Sequence, residues 1–82
     1  MDRKEVYESV VNIISKHARN QQALAGVTEK TNILNDLQVN SARLVDIVLD
    51  FEDTFNLEIS DEDADRINTI GDAVNLVSKL LN

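Results

Sequence analysis

Ser41 is the residue of this chain whose type and setting together could support covalent chemistry. It stands where a polar, irregular stretch gives way to an acidic, amphipathic one, between Asn40 and Ala42. With Asn40 as the helix cap, Ser41 would occupy the first turn, its hydroxyl toward solvent and free backbone N–H groups nearby. A phosphate attached there would lie at the positive end of the helix dipole. Serine is itself among the commonest capping residues, so the alternative that Ser41 is the cap stands beside this one.

Other chemistries lack their parts. The single histidine, His17, has no cysteine and no lysine-rich stretch to pair with, and it reads as a residue at the edge of a helix rather than a catalytic base. Gly26 and Gly71 stand apart, so there is no glycine loop to cradle a phosphate. Asp61, Asp63, Asp65 and Asp72 fall at positions one, three, five and twelve of a calcium-binding loop. Arg66 then takes the sixth position, where the turn needs glycine, and the twelfth is aspartate rather than a bidentate glutamate. A capped short helix accounts for these acids better, so no metal site is expected, and the chain does not read as an enzyme.

The elements that must position Ser41 follow from periodicity. Val6, Val10, Ile13, Ile14 and His17 recur at steps of three and four, which predicts an amphipathic helix over residues 2–18. The pattern stops across residues 19–40, where Leu24, Val27, Ile33 and Leu37 are spaced too widely for a stripe but could pin a long connection to the core. A second helix begins near Asn40 or Ser41 and runs to Phe55, with Leu44, Val48, Phe51 and Phe55 on one face and Ile47 widening it. Ser60 to Asp63 and Thr69 to Asp72 each read as capping boxes with aspartate in place of glutamate. They predict a short helix after Ser60 and a last helix that packs Ala73, Val74, Val77, Leu80 and Leu81. No segment alternates with period two over a strand length. The expected fold is all-α, a small bundle of three principal helices plus one short one with a long first loop, in a single domain of 82 residues.

Charge narrows the partners. Residues 36–65 hold ten acids against the single base Arg43, whereas the flanking segments are each close to neutral. Such a segment repels nucleic acid and anionic lipid and favours basic protein surfaces. No apolar run approaches a membrane span, the opening Asp2, Arg3, Lys4 and Glu5 does not resemble a signal peptide, and a cytoplasmic location is expected.

The stretch from Asp36 to Phe55, with Glu58-Ile59-Ser60-Asp61-Glu62-Asp63-Ala64 and Ile67-Asn68-Thr69-Ile70-Gly71-Asp72-Ala73, resembles the acyl carrier protein family. The resemblance rests on the acid-rich second helix, the Phe-x-x-Glu-Ile junction and the Thr-hydrophobic-x-Asp-Ala entry to the last helix. It implies phosphopantetheine on Ser41, whose terminal thiol would hold an acyl or aminoacyl group as a thioester for fatty-acid, lipid or specialised metabolite synthesis. It further implies a partner surface on which Asp46, Glu52, Asp53, Asp61 and Glu62 meet basic side chains while Val45 and Leu49 remain partly exposed. The partners would be a phosphopantetheinyl transferase and acyl-loading or synthase enzymes with basic surfaces, met by a monomer. Where the family has Asp-Ser-Leu, this chain has Asn40-Ser41-Ala42, and Arg43 follows where acidic or neutral residues are usual. Two other readings stand beside the carrier: an unmodified acidic helical interaction module that kept the fold, and a calcium-responsive domain.

Overall fold

The computed structural model describes residues 2–81. Its helices are α1 (Arg3–Ser15), α2 (Arg43–Phe55), α3 (Asp61–Asp65) and α4 (Ile70–Leu81), with a 3₁₀ helix (Gln21–Gly26) inside the long first connection. Among the described residues there is no strand, only an isolated bridge between Asn32 and Thr69.

The starts of α1, α3 and α4 are set by side chains that take up backbone donors the helix leaves free. At α1 the Asp2 carboxylate accepts from the Glu5 N–H at 2.8 Å and the Glu5 carboxylate accepts from the Asp2 N–H at 3.3 Å. Thr69 and Asp72 form the same reciprocal pair at the head of α4, the Asp72 N–H reaching the Thr69 hydroxyl at 3.1 Å and the Thr69 N–H reaching the Asp72 carboxylate at 3.0 Å. The Ser60 hydroxyl accepts from the Asp63 N–H at 3.2 Å and starts α3. α2 ends on Asn56 in the left-handed conformation (φ 53°), which a short polar side chain tolerates better than most.

Two boundaries and one buried face differ from the periodic reading. α1 stops at Ser15 rather than reaching residue 18, because the Lys16 and His17 N–H groups bond three residues back, to Ile13 and Ile14, and tighten the last turn. The Gln21 amide then donates to the Ala18 carbonyl at 2.6 Å, which holds the turned chain in place. α2 begins at Arg43, after a turn at Ser41 and Ala42. Leu80 and Leu81, expected in the core, are each 37% exposed, and the buried face of α4 is instead Ile70, Gly71, Ala73, Val74 and Val77.

One cluster of buried apolar side chains joins the helices: Val10 and Ile14 from α1, Ile47 and Phe51 from α2, Val74 and Val77 from α4. Ile33 and Leu37 of the long connection are fully buried among them, and Leu24 and Val27 pack against the edge. The connection is therefore part of the core. Its middle is strapped to the head of α4 by three backbone bonds, from Ile33 N–H to the Asn68 carbonyl, from Ile70 N–H to Thr31 and from Gly71 N–H to Glu29.

Gly71 is required by that strap. A Cβ built on it would lie 2.8 Å from the Glu29 carbonyl oxygen, a backbone atom that cannot swing aside. Gly71→Ala is expected to destabilise by roughly 1–3 kcal/mol, because overpacking outweighs the gain of about 1 kcal/mol in helix propensity. Gly26→Ala, with nothing within 4 Å of its Cβ, is expected to be neutral or slightly stabilising. Urea melts of the two variants, compared at equal salt, check the pair.

Candidate functional site

The turn before α2 decides which residue caps it. The Asn40 carboxamide oxygen accepts from the Ala42 N–H at 2.9 Å, a side chain bonding its own backbone two residues on, and the Arg43 N–H donates to the Asn40 carbonyl at 2.8 Å. Neither Asn40 nor Ser41 is therefore the helix cap: that position falls on Ala42, which has no side chain to cap with, because the Asn40 turn delays the helix to Arg43, while the Ser41 carbonyl accepts from the Leu44 N–H at 3.2 Å. Among the described residues the Ser41 hydroxyl makes no hydrogen bond, and Ser41 is exposed. The hydroxyl is consequently free to react at the head of the helix.

Beside Ser41 a groove of about 300 Å³ opens between α2 and α3. Its apolar walls are Leu44, Val45, Val48, Leu49, Ile59 and Ala64, and Glu52, Asp61 and Asp65 stand among them. The groove exists because α2 is apolar on more than one side. Ile47, Val48, Phe51 and Phe55 face the core, whereas Val45 (63% exposed) and Leu49 (52% exposed) point away from it. Val45 and Leu49 thus form an exposed apolar strip beside the carboxylates of Glu52, Asp61 and Asp65.

The acidic residues singled out from sequence fall into two groups. Asp46, Asp53, Asp61 and Glu62 are exposed and flank Val45 and Leu49 along α2 and α3. Glu52 is half-buried, and its carboxylate accepts from the Ile59 N–H at 2.9 Å, so it fixes the junction between α2 and α3 and with it one wall of the groove. Spacing along the helix could not separate Glu52 from Asp53.

His17 lies past the end of α1, not on it, and its Nε2 is 2.9 Å from an Asp50 carboxylate oxygen. The contact ties the end of α1 to the middle of α2. Asp61, Asp63 and Asp65 lie on the single helical turn of α3, and the Asp72 carboxylate is taken by the Asn68 and Thr69 N–H groups. The spacing that resembles a calcium loop is thus a capped helix followed by a capping box. Among the described residues no group of three acids or histidines is placed to hold a metal ion.

Reading positions one at a time missed the groove walls Leu44, Val48, Ile59 and Ala64 as a set. The signal was present in the width of the apolar face on α2, but Ile59 and Ala64 join it only through the turn after Asn56.

Comparison with known proteins gives a consistent result. The family described as the phosphopantetheine attachment site matches residues 10–77. An acyl carrier protein of Thermotoga maritima is 37% identical over 79 residues, covering 96% of this chain and 95% of that protein. One from Lactobacillus acidophilus is 35% identical over 77 residues, covering 94% of each. The solved structure of an acyl carrier protein from Enterococcus faecalis, noted for high thermal stability, superposes with a TM-score of 0.80 at 41% identity, covering 98% of this chain and 99% of that one.

Proposed function

This chain belongs to the acyl carrier protein family and bears covalently attached phosphopantetheine, and from that premise we propose that Ser41 is the residue that holds it. The observation that carries the assignment is the exposed, unbonded Ser41 hydroxyl in the turn at the head of α2, a turn that Asn40 holds through the Ala42 N–H. When bound, the group supplies a terminal thiol for thioester chemistry, which also accounts for a carrier that lacks cysteine. The chain's own residues do the rest. Asn40 holds the turn open, Ser41 presents its oxygen, and Glu52 sets the wall of a groove whose apolar side chains suit an aliphatic segment of cargo. On this reading the protein is not itself an enzyme. It presents an acyl or aminoacyl group for fatty-acid, lipid or specialised metabolite synthesis, acting as a monomer in the cytoplasm. No helix among the described residues is long and apolar enough to cross a membrane. Intact-mass and fragmentation analysis of the protein from its native cell tests the assignment. Phosphopantetheine found on any residue but Ser41 overturns it.

Partners are a phosphopantetheinyl transferase and synthase enzymes, and Asp46, Asp53, Asp61 and Glu62 favour basic surfaces on them. Val45 and Leu49 supply the apolar centre of the contact, with Glu52 at its inner edge. Because exposed charges are screened over about 10 Å at 0.1 M salt, association with the transferase is expected to slow as salt rises while dissociation changes little. Stopped-flow association rates across a salt series check this. Rates indifferent to salt would place the binding energy on Val45 and Leu49 instead.

A further inference from the structure

On the side of the Ser41 turn away from the groove, the end of α1 and the head of α2 enclose a second hollow of about 270 Å³. It is lined by Lys16, His17, Ala18, Arg19, Asn40 and Arg43, with no carboxylate among them. In a chain of net charge −7 this is the place where three cationic side chains converge. Among the described residues Lys16 and Arg19 form no ion pair, and the Arg43 guanidinium only approaches Asp46 at 3.9 Å across exposed surface. The His17 ring is held at the hollow by Asp50. Asn40 and Arg43 are the two ends of the turn that contains Ser41, closed by the Arg43 N–H on the Asn40 carbonyl, so the hollow and the reactive hydroxyl share one turn.

We propose that this hollow is a phosphate site that holds the phosphodiester joining the arm to Ser41, an inference that rests on the assignment of Ser41 above. The charge layout gives the reason. Ser41 lines the groove, where Glu52, Asp61 and Asp65 would repel a phosphodiester, whereas the hollow at the ends of its turn, beside Asn40 and Arg43, offers Lys16, Arg19 and Arg43. Guanidinium groups suit phosphate oxygens through paired N–H donors. Holding the diester on the basic side fixes the root of the arm and leaves the groove open to what the arm carries. The same chemistry could instead serve the nucleotide phosphates of the coenzyme A donor while the arm is being attached.

The test follows Lys16, Arg19 and Arg43 in ¹H–¹⁵N spectra of the full chain, with ³¹P spectra of the modified form. Attachment of the arm is expected to move the resonances of all three residues. The triple variant Lys16→Gln, Arg19→Gln, Arg43→Gln is expected to return the ³¹P resonance toward its position in an unstructured phosphopantetheinyl peptide. Its amide dispersion reports that it remains folded. Coenzyme A titrated into the unmodified chain separates the two sources: movement with coenzyme A but not on attachment assigns the hollow to the donor. Inorganic phosphate, titrated against sodium chloride of equal ionic strength, reads the hollow without any modification of Ser41, and its affinity is expected to fall at least about tenfold in the triple variant. If attachment, coenzyme A and inorganic phosphate all leave Lys16 and Arg19 where sodium chloride leaves them, the hollow is not a phosphate site. An arm found on another residue would sink the Ser41 assignment while the phosphate titration still decided the hollow.

Discussion

Ser41→Ala is expected to gain no mass when incubated with coenzyme A and a broad-specificity phosphopantetheinyl transferase, whereas the unaltered chain is expected to gain one phosphopantetheine per molecule. On the Ser41 assignment proposed above the loss should be complete, because the serine oxygen would form the new bond to phosphorus as the donor's pyrophosphate bond breaks and the adenosine bisphosphate leaves. Alanine keeps the Cβ and removes only that oxygen. Folding should be untouched: the turn before α2 is held by the Asn40 carboxamide on the Ala42 N–H, and Ser41 contributes through its carbonyl, which alanine retains. A thermal melt within about 0.5 kcal/mol of the unaltered chain is therefore expected, as for other surface changes. Asn40→Ala supplies the contrast. Losing the turn hydrogen bond should cost about 1 kcal/mol of stability without removing the nucleophile, so this variant should still gain mass. Mass gain by Ser41→Ala would move the attachment to another hydroxyl.

What could be read from the sequence, and what could not, follows from how far each feature reaches along the chain. The helices were legible because Val6, Val10, Ile13 and Ile14, or Val48, Phe51 and Phe55, repeat within a few residues of one another. The end of α1 was not. The in-phase His17 extends the apolar rhythm, but its ring is directed to Asp50, and only the tertiary contact shows that the chain has already turned. The choice between Asn40 and Ser41 as cap was undecidable locally, since both are good capping residues in adjacent positions. Neither holds the position: Asn40 bonds the Ala42 N–H within the preceding turn, and the cap falls on Ala42. Glu52 and Asp53 illustrate the same limit, since neighbouring acids on one helix have different fates once the Ile59 N–H arrives from beyond the turn. The basic hollow is the extreme case, because Lys16, Arg19 and Arg43 come from two elements separated by the long connection. Charge counted by segment assigned the first two to a nearly neutral region and the third to an acidic one.

Phe51→Ala is expected to remove a large part of the stability of the fold. Phe51 is fully buried, with its ring centroid 6.4 Å from that of Phe55 at a tilt of 52°, in the cluster shared by α1, α2 and α4. Truncating a buried phenylalanine to alanine costs about 3–5 kcal/mol through lost burial and the cavity left behind. A domain of this length has roughly 4–12 kcal/mol in total, and the ten acids of residues 36–65 draw on that margin by repelling one another in the compact state. Leu49→Ala, two residues earlier on the same helix but half exposed, should change stability by no more than about 0.5 kcal/mol. Urea melts followed by helical circular dichroism at low salt measure the two side by side. Adding sodium or magnesium chloride should raise the midpoint of Phe51→Ala, because screening relieves the acidic segment without refilling the cavity. Equal losses in the two variants would mean that the faces of α2 are wrongly assigned, and the groove lined by Val45 and Leu49 would have to be redrawn.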